Sequence, residues 1–300
     1  MIDLNGHKFE FAAASGALGF DGDGYFWEWP LRWAGLLDSG QFTIITKTLT
    51  RWPRAGNLKW WCPWRCVKLI PGGAVNAVGL TNPGIDWWVR AYLGHFYKRG
   101  YATIVSIAPD TEREAEVMTH KLIACNVWGN IKGIEINASC PNVDHDESVH
   151  HVCKVARAAL NPNLPVLVKL GWQQPYLDVC RELDGQVAAF DLINAVPWKE
   201  LRVSESPLRK YGLEGSVSGK SIRYLAEKTL MAVKKAGIKT PILSGGGVMN
   251  ITDVWQRFSM GADAVAFGSL FLRKPWAPNQ IVRQWWQENL PISSTKNVRQ

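Results

Sequence analysis

The sequence predicts an α/β fold, a (β/α)8 TIM barrel, on three observations. Short apolar, β-branched runs alternate strictly with longer segments of helical spacing. Each kind occurs eight times; parallel strands need such crossovers, and eight units close a barrel. No linker, low-complexity tract or repeat divides the 300 residues, so one domain is expected over 1–300. A doubly wound open sheet is the rival, but it would use fewer strands at this length.

Strands are expected at 9–13, 42–48, 103–108, 133–137, 165–170, 190–195, 241–244 and 264–268. Helices are expected at 27–38, 84–98, 111–125, 147–160, 175–184, 219–236, 252–260 and 276–289. Two connections break the rhythm: 49–83, rich in Trp, Pro and Gly, and 195–218. Long loops in a compact domain are usually functional. Both follow strands, which places them on the C-terminal face of a barrel, where catalysis occurs.

Composition narrows the function. With 47% apolar and 20% charged residues the chain is neither disordered nor fibrous. Its net charge of +8 comes from scattered Lys and Arg with no basic run, so a solvated surface is expected and no nucleic-acid partner. A small anionic substrate or a phosphate-bearing cofactor needs only two or three of these charges. No stretch approaches ~18 consecutive apolar residues, so no membrane partner is expected. The start, Met1-Ile2-Asp3-Leu4-Asn5-Gly6, lacks a signal pattern, and a cytoplasmic location is expected. Six cysteines are too sparse for a disulfide scaffold. Cys62 and Cys66 lack the further ligands a metal or cluster needs, and His145, His150, His151 and Cys153 form no metal motif, so no metal is expected. Nothing in the fold requires 16 Trp against 7 Tyr and 10 Phe.

The strand ends carry the polar chemistry. Strand one ends in Ala14-Ser15-Gly16, strand two in Thr46-Lys47-Thr48, strand four in Asn137-Ala138-Ser139-Cys140-Pro141-Asn142. Strand five ends in Lys169 and strand six in Asn194. Strand seven runs into Gly245-Gly246-Gly247 and strand eight into Gly268-Ser269. A barrel gathers all of these at one mouth, where unpartnered lysines and asparagines would be costly. The two glycine turns offer backbone N–H groups to a phosphate, at the strand pair where barrels often bind one. No G-x-G-x-x-G opens a first βα unit and no P-loop is present.

The run Ile134-Glu135-Ile136-Asn137-Ala138-Ser139-Cys140-Pro141-Asn142-Val143 resembles the signature of the dihydroorotate dehydrogenase family. Thr46-Lys47-Thr48, the loop segments 53–57 and 76–84, Val166-Leu167-Val168-Lys169-Leu170, Leu192-Ile193-Asn194 and Ser218-Gly219-Lys220 are similar to that family in matching order. So are 241–248 and 261–269, and the likeness covers nearly the whole chain. The resemblance implies FMN-dependent oxidation of dihydroorotate to orotate in pyrimidine biosynthesis. It places Lys47, Asn76, Asn137, Asn142 and Asn194 on the substrate, with Cys140 as base and Lys47 beside it in catalysis. It places Ser15, Gly16, Lys47, Asn137, Lys169, Gly219, Gly246, Gly247, Gly268 and Ser269 on FMN. Cysteine rather than serine at 140 resembles the soluble class of the family. A homodimer is implied, and any route to NAD would need an iron–sulfur electron-transfer partner subunit; fumarate and quinone stay open as acceptors.

These residue types suit that chemistry. Asparagines read the amide-like edges of a pyrimidine ring, a lysine balances a carboxylate, and an ionised thiol accepts a proton. A second lysine stabilises charge on a reduced flavin. Ala195, where the family carries a hydroxyl, Gly215-Ser216-Val217-Ser218-Gly219 and the Trp-rich stretch 58–66 depart from the pattern. Two alternatives therefore stay open: another reduced pyrimidine, such as dihydrouracil or tRNA dihydrouridine, or a non-catalytic flavin-binding protein.

Overall fold

The computed structural model describes residues 1–139, 148–201 and 204–289. Eight parallel strands close a barrel: β1 (Phe11–Ala13), β2 (Thr43–Ile45), β3 (Thr103–Ile107), β4 (Ile131–Asn137), β5 (Val166–Leu170), β6 (Ala189–Leu192), β7 (Ile242–Ser244) and β8 (Ala264–Phe267). They lie in sequence order around the ring, β8 pairing with β1. Each observed strand falls within an expected one, apart from β4 and β6, which begin two residues and one residue earlier.

Period-two alternation sorts each strand into an inner and an outer set. Ile45, Ile104, Leu167, Ala189, Leu243 and Ala264 pack together inside. The outer sets pack under the helices, for example Ile134, Ile136, Val166 and Val168 against Val152, Val155 and Ala156 of the helix Val149–Ala159. Capping defines the helix starts: the hydroxyls of Thr111 and Ser148 accept the N–H groups of Glu114 and His151, and the Asn250 side chain accepts that of Asp253.

Three features depart from the expectation. An antiparallel hairpin, Ile2–Leu4 with His7–Phe9, turns at Asn5-Gly6 with both φ angles positive. That dipeptide is the one a two-residue hairpin favours. Its Ile2, Leu4 and Phe9 join the inner barrel cluster and close the barrel floor. The long connections are also not plain loops: Val67–Ile70, Gly73–Asn76, Val196–Pro197 and Ser216–Gly219 form a four-stranded antiparallel sheet. Finally, the helix expected at 27–38 shrinks to Phe26–Glu28 and Trp29–Trp33, ended by Gly35 at φ +68°. Much of the tryptophan excess lies on the surface; Trp60 is 79% and Trp33 80% exposed.

Arg257 is wholly buried on the helix Ile251–Ser259. Its guanidinium donates to Ser244 Oγ (3.1 Å), to Gly245 O (3.4 Å) and to Gly246 O (2.7 Å), and so fixes the turn after β7. Burial lowers its pKa to about 10, so it stays charged at neutral pH. Arg257→Ala strips charged donors from buried carbonyls and is expected to cost about 2–4 kcal/mol. Urea unfolding of the two proteins measures it, and an unchanged midpoint would remove Arg257 from the support of this turn.

Candidate active site

The barrel mouth opens into a cavity of about 600 Å³. Every described residue assigned to the site from sequence lines it: Ser15, Gly16, Lys47, Asn76, Asn137, Lys169, Asn194, Gly219, Gly246, Gly247, Gly268 and Ser269. Cys140 and Asn142 lie outside the described residues. The lining is mixed: Ile193, Ile222, Val248, Met249 and Leu272 supply apolar surface, and the lysines and asparagines polar groups.

Backbone conformation shapes the walls. Gly219 sits at φ +94°, and a Cβ there would come 2.4 Å from Gly72 O, so only glycine lets the small sheet reach the turn. Gly247, at φ +87°, would place a Cβ 2.8 Å from Arg223 Cα. Beside these turns Ser269 Oγ donates to Ser218 Oγ (2.7 Å), tying the start of the helix Ser269–Arg273 to the small sheet.

The asparagines orient one another. Asn194 Nδ2 donates to Asn137 Oδ1 (3.1 Å) and to Ser139 O (3.0 Å), and Asn137 Nδ2 donates to Thr48 Oγ1 (2.9 Å). Lys47 donates to the Thr81 carbonyl, and its ammonium lies 5.5 Å from the centre of the Phe20 ring. Tyr25 donates its hydroxyl to Gly16 O (2.9 Å), which steadies the turn after β1. Glu28 accepts the Tyr25 N–H (2.8 Å), and burial pushes its carboxyl up to about 6.

Beneath the mouth lies a cluster that the reading of strand ends missed. Lys169 Nζ stands 2.9 Å from Asp191 Oδ2 and 3.9 Å from Glu135 Oε2. Glu135 is fully buried and accepts from Ser106 Oγ at 2.6 Å. Burial above all pushes Glu135 up to about 8; Lys169 opposes this, and Asp191 beside it adds to it. A signal was available: each charge sits on the inward register of its strand, IKGIEIN, VLVKL and AFDL.

The donor set suits a flat amphipathic group carrying a phosphate. Backbone N–H groups of the glycine turns and the Ser269 hydroxyl suit the anion, the apolar wall suits a ring face, and Lys169 suits a ring edge that gains negative charge. Fold and cavity together define a (β/α)8 barrel with a lysine- and asparagine-lined ligand site at its C-terminal mouth.

The chain belongs to the dihydroorotate dehydrogenase family, whose match spans residues 7–288. It is 31% identical over 276 residues to a Desulforudis audaxviator protein named dihydroorotate dehydrogenase B (NAD(+)), catalytic subunit, covering 88% of this chain and 83% of that one. A Geobacter metallireducens protein of the same name is 28% identical over 260 residues, covering 81% and 80%. Among solved structures, DHODH from Eimeria tenella in complex with ferulenol superposes with a TM-score of 0.70 at 16% identity, over 96% of this chain and 83% of that one. The ligand-free form gives 0.68 at 15%, over 93% and 83%; at such identities the likeness is one of fold.

The buried carboxyls set a pH dependence of stability. Folded Glu135 holds its proton up to about 8, against an ordinary value of 4.5, so across that window the folded state binds more protons than the unfolded one. The stabilisation is full below 4.5 and is lost as pH rises through about 8. Glu28 adds a like decline that ends near 6. Glu135→Gln is therefore expected to flatten the curve between about 6 and 8 and to lessen the decline between 4.5 and 6, where Glu28 still acts. Thermal unfolding of the flavin-free protein across pH checks this; parallel curves for the two proteins would show Glu135 ionised throughout.

Proposed function

We propose that the protein is an FMN-dependent enzyme that oxidises dihydroorotate to orotate in pyrimidine biosynthesis. The observation that carries the reading is convergence: residues at or after the ends of seven of the eight barrel strands line one cavity, in a chain that belongs to the family. FMN bound there supplies the acceptor for a hydride from the substrate ring. Gly246, Gly247, Gly268 and Ser269, which line the cavity, would hold its phosphate, and Ser15, Gly16, Lys47, Asn137, Lys169 and Gly219 would lie around the rest.

Asn76, Asn137, Asn142 and Asn194 read the amide edges of the substrate, and Lys47 balances its carboxylate. The Asn194–Asn137–Thr48 chain supports this reading, because it fixes which end of each side-chain amide faces the ligand. Cys140 takes the proton from the ring carbon as a thiolate. Lys169 offers its ammonium where negative charge accumulates, at a cost in desolvation that Asp191 offsets.

The relatives named as catalytic subunits of an NAD(+) enzyme support a partner subunit that passes electrons onward, with NAD as final acceptor. A homodimer and a cytoplasmic location complete the reading. The five described cysteines are free thiols, as a reducing compartment leaves them. Among the described residues no helix is long and apolar enough to cross a membrane.

The purified protein is expected to be yellow and to bleach when dihydroorotate is added without oxygen. A colourless protein that takes up no FMN, or a flavin bleached only by dihydrouridine-containing RNA, refutes the reading. Lys47→Ala is expected to weaken orotate binding about ten- to a hundredfold while FMN is retained. Equal affinities in titration would take Lys47 off the substrate. Cys140→Ala is expected to slow flavin reduction by about 10²–10⁴-fold, read by stopped-flow bleaching, with Cys140→Ser keeping a residue of activity.

A further inference from the structure

Three hydroxyls run in series from the cavity to the buried carboxyl of Glu135. Ser15 and Thr48 line the cavity, and their oxygens lie 3.0 Å apart. Thr48 Oγ1 lies 2.9 Å from Ser106 Oγ, which lies 2.6 Å from Glu135 Oε1. Each hydroxyl can give one hydrogen and accept another, so such a chain can point either way. Pointing inward, Ser15 donates to Thr48, Thr48 to Ser106 and Ser106 to an ionised Glu135. Pointing outward, a protonated Glu135 donates to Ser106 and the order reverses. The last hydroxyl, that of Ser15, then donates to Thr46 O, 2.9 Å away. Both directions therefore leave every hydroxyl satisfied, and the backbone carbonyl of Thr46 is what makes the second one possible.

The charges around Glu135 give this chain a consequence. From β5 comes Lys169 and from β6 Asp191; β3 contributes the neutral Ser106. The other strands contribute the apolar Ala12, Ile45, Leu243 and Ala266 to this interior, and the polar Thr43 lower down contacts His7 of the hairpin. Lys47, across the mouth, is engaged with the Thr81 carbonyl. With Glu135 protonated, Lys169 and Asp191 cancel and the cluster is neutral. With Glu135 ionised, it carries one net negative charge.

We propose that Ser15, Thr48 and Ser106 form a reversible hydroxyl relay between the cavity and Glu135, and that Glu135 acts through it as a positioning residue, setting the net charge around the Lys169 ammonium. In the step, a hydronium ion in the cavity gives a proton to Ser15 and is left as water, each hydroxyl passes one proton on and receives one, and the Glu135 carboxylate gains one to become the neutral acid; release runs backwards and returns the proton to water. Negative charge arriving beside Lys169 draws a proton in, and its removal lets the proton leave. That the charge is the one gained by a flavin on reduction rests on the function proposed above; the relay itself does not.

The wild-type flavin-free protein tests the relay by infrared spectroscopy across pH. A carboxylic C=O band that shifts in heavy water, persists through neutral pH and is absent from Glu135→Gln is expected. Labelling the glutamates with carbon-13 identifies the band in the wild type should that variant not fold. Ser106→Ala removes the donor to the carboxylate, so the band is expected to survive to higher pH. No such band at neutral pH, or a band whose pH midpoint ignores Ser106→Ala, overturns the relay. In the FMN-loaded protein the midpoint potential of the flavin is then read against pH. The wild-type line is expected to bend where the band is lost, and the Glu135→Gln line to stay straight there. Matching lines overturn the link to Lys169. A protein that holds no flavin defeats the proposed function and leaves the infrared result standing.

Discussion

The site depends on how the closed barrel tolerates charge in its interior. Below the mouth the inner cluster is largely apolar, and Ile2, Leu4 and Phe9 of the hairpin pack into it from the floor. Lys169, Asp191 and Glu135 occupy the top of this interior and must satisfy one another. One ammonium cannot neutralise two carboxylates, and a buried excess of charge is expensive. Protonation of Glu135 removes the excess, and the Ser106 contact holds that carboxyl in place. The cost is accepted at the one level of the barrel that touches the cavity.

Around this centre, glycines and one arginine shape the ligand space. The turns after β7 and β8 leave backbone exposed where side chains would intrude, and Arg257 holds the first of them from behind. The small antiparallel sheet forms part of the outer wall, so the cavity is bounded by barrel strand ends on one side and inserted strands on the other. The asparagines lie between, braced by hydrogen bonds that run back to Thr48.

The barrel was legible because buried parallel strands are short apolar runs, and eight of them alternate with helical segments. The ring of Ser15, Lys47, Asn137, Lys169 and Asn194 was legible because each ends such a run. Asp191 and Glu135 were not read from strand ends, because they lie within the strands; the alternation alone turns them inward. The strands of the inserted sheet were hidden for another reason. Val67–Ile70 and Gly73–Asn76 pair locally, yet Gly73–Asn76 also pairs with Ser216–Gly219, a partner that no local pattern reveals. The Asn5-Gly6 turn is itself a hairpin signal, but the three-residue strands beside it barely register as periodic.

The pairing of Gly73–Asn76 with Ser216–Gly219 joins segments about half the chain apart, and Arg273 seals it by donating to Ile70 O (2.6 Å) and Gly73 O (3.1 Å). Contacts of such separation close late, because the loop entropy must be met before they form. A chain emerging from the ribosome holds Gly73–Asn76 long before Ser216–Gly219 exists. During synthesis the cavity therefore lacks its outer wall until the chain has passed β6 and reached Gly219, so a ligand cannot be enclosed by both walls before then.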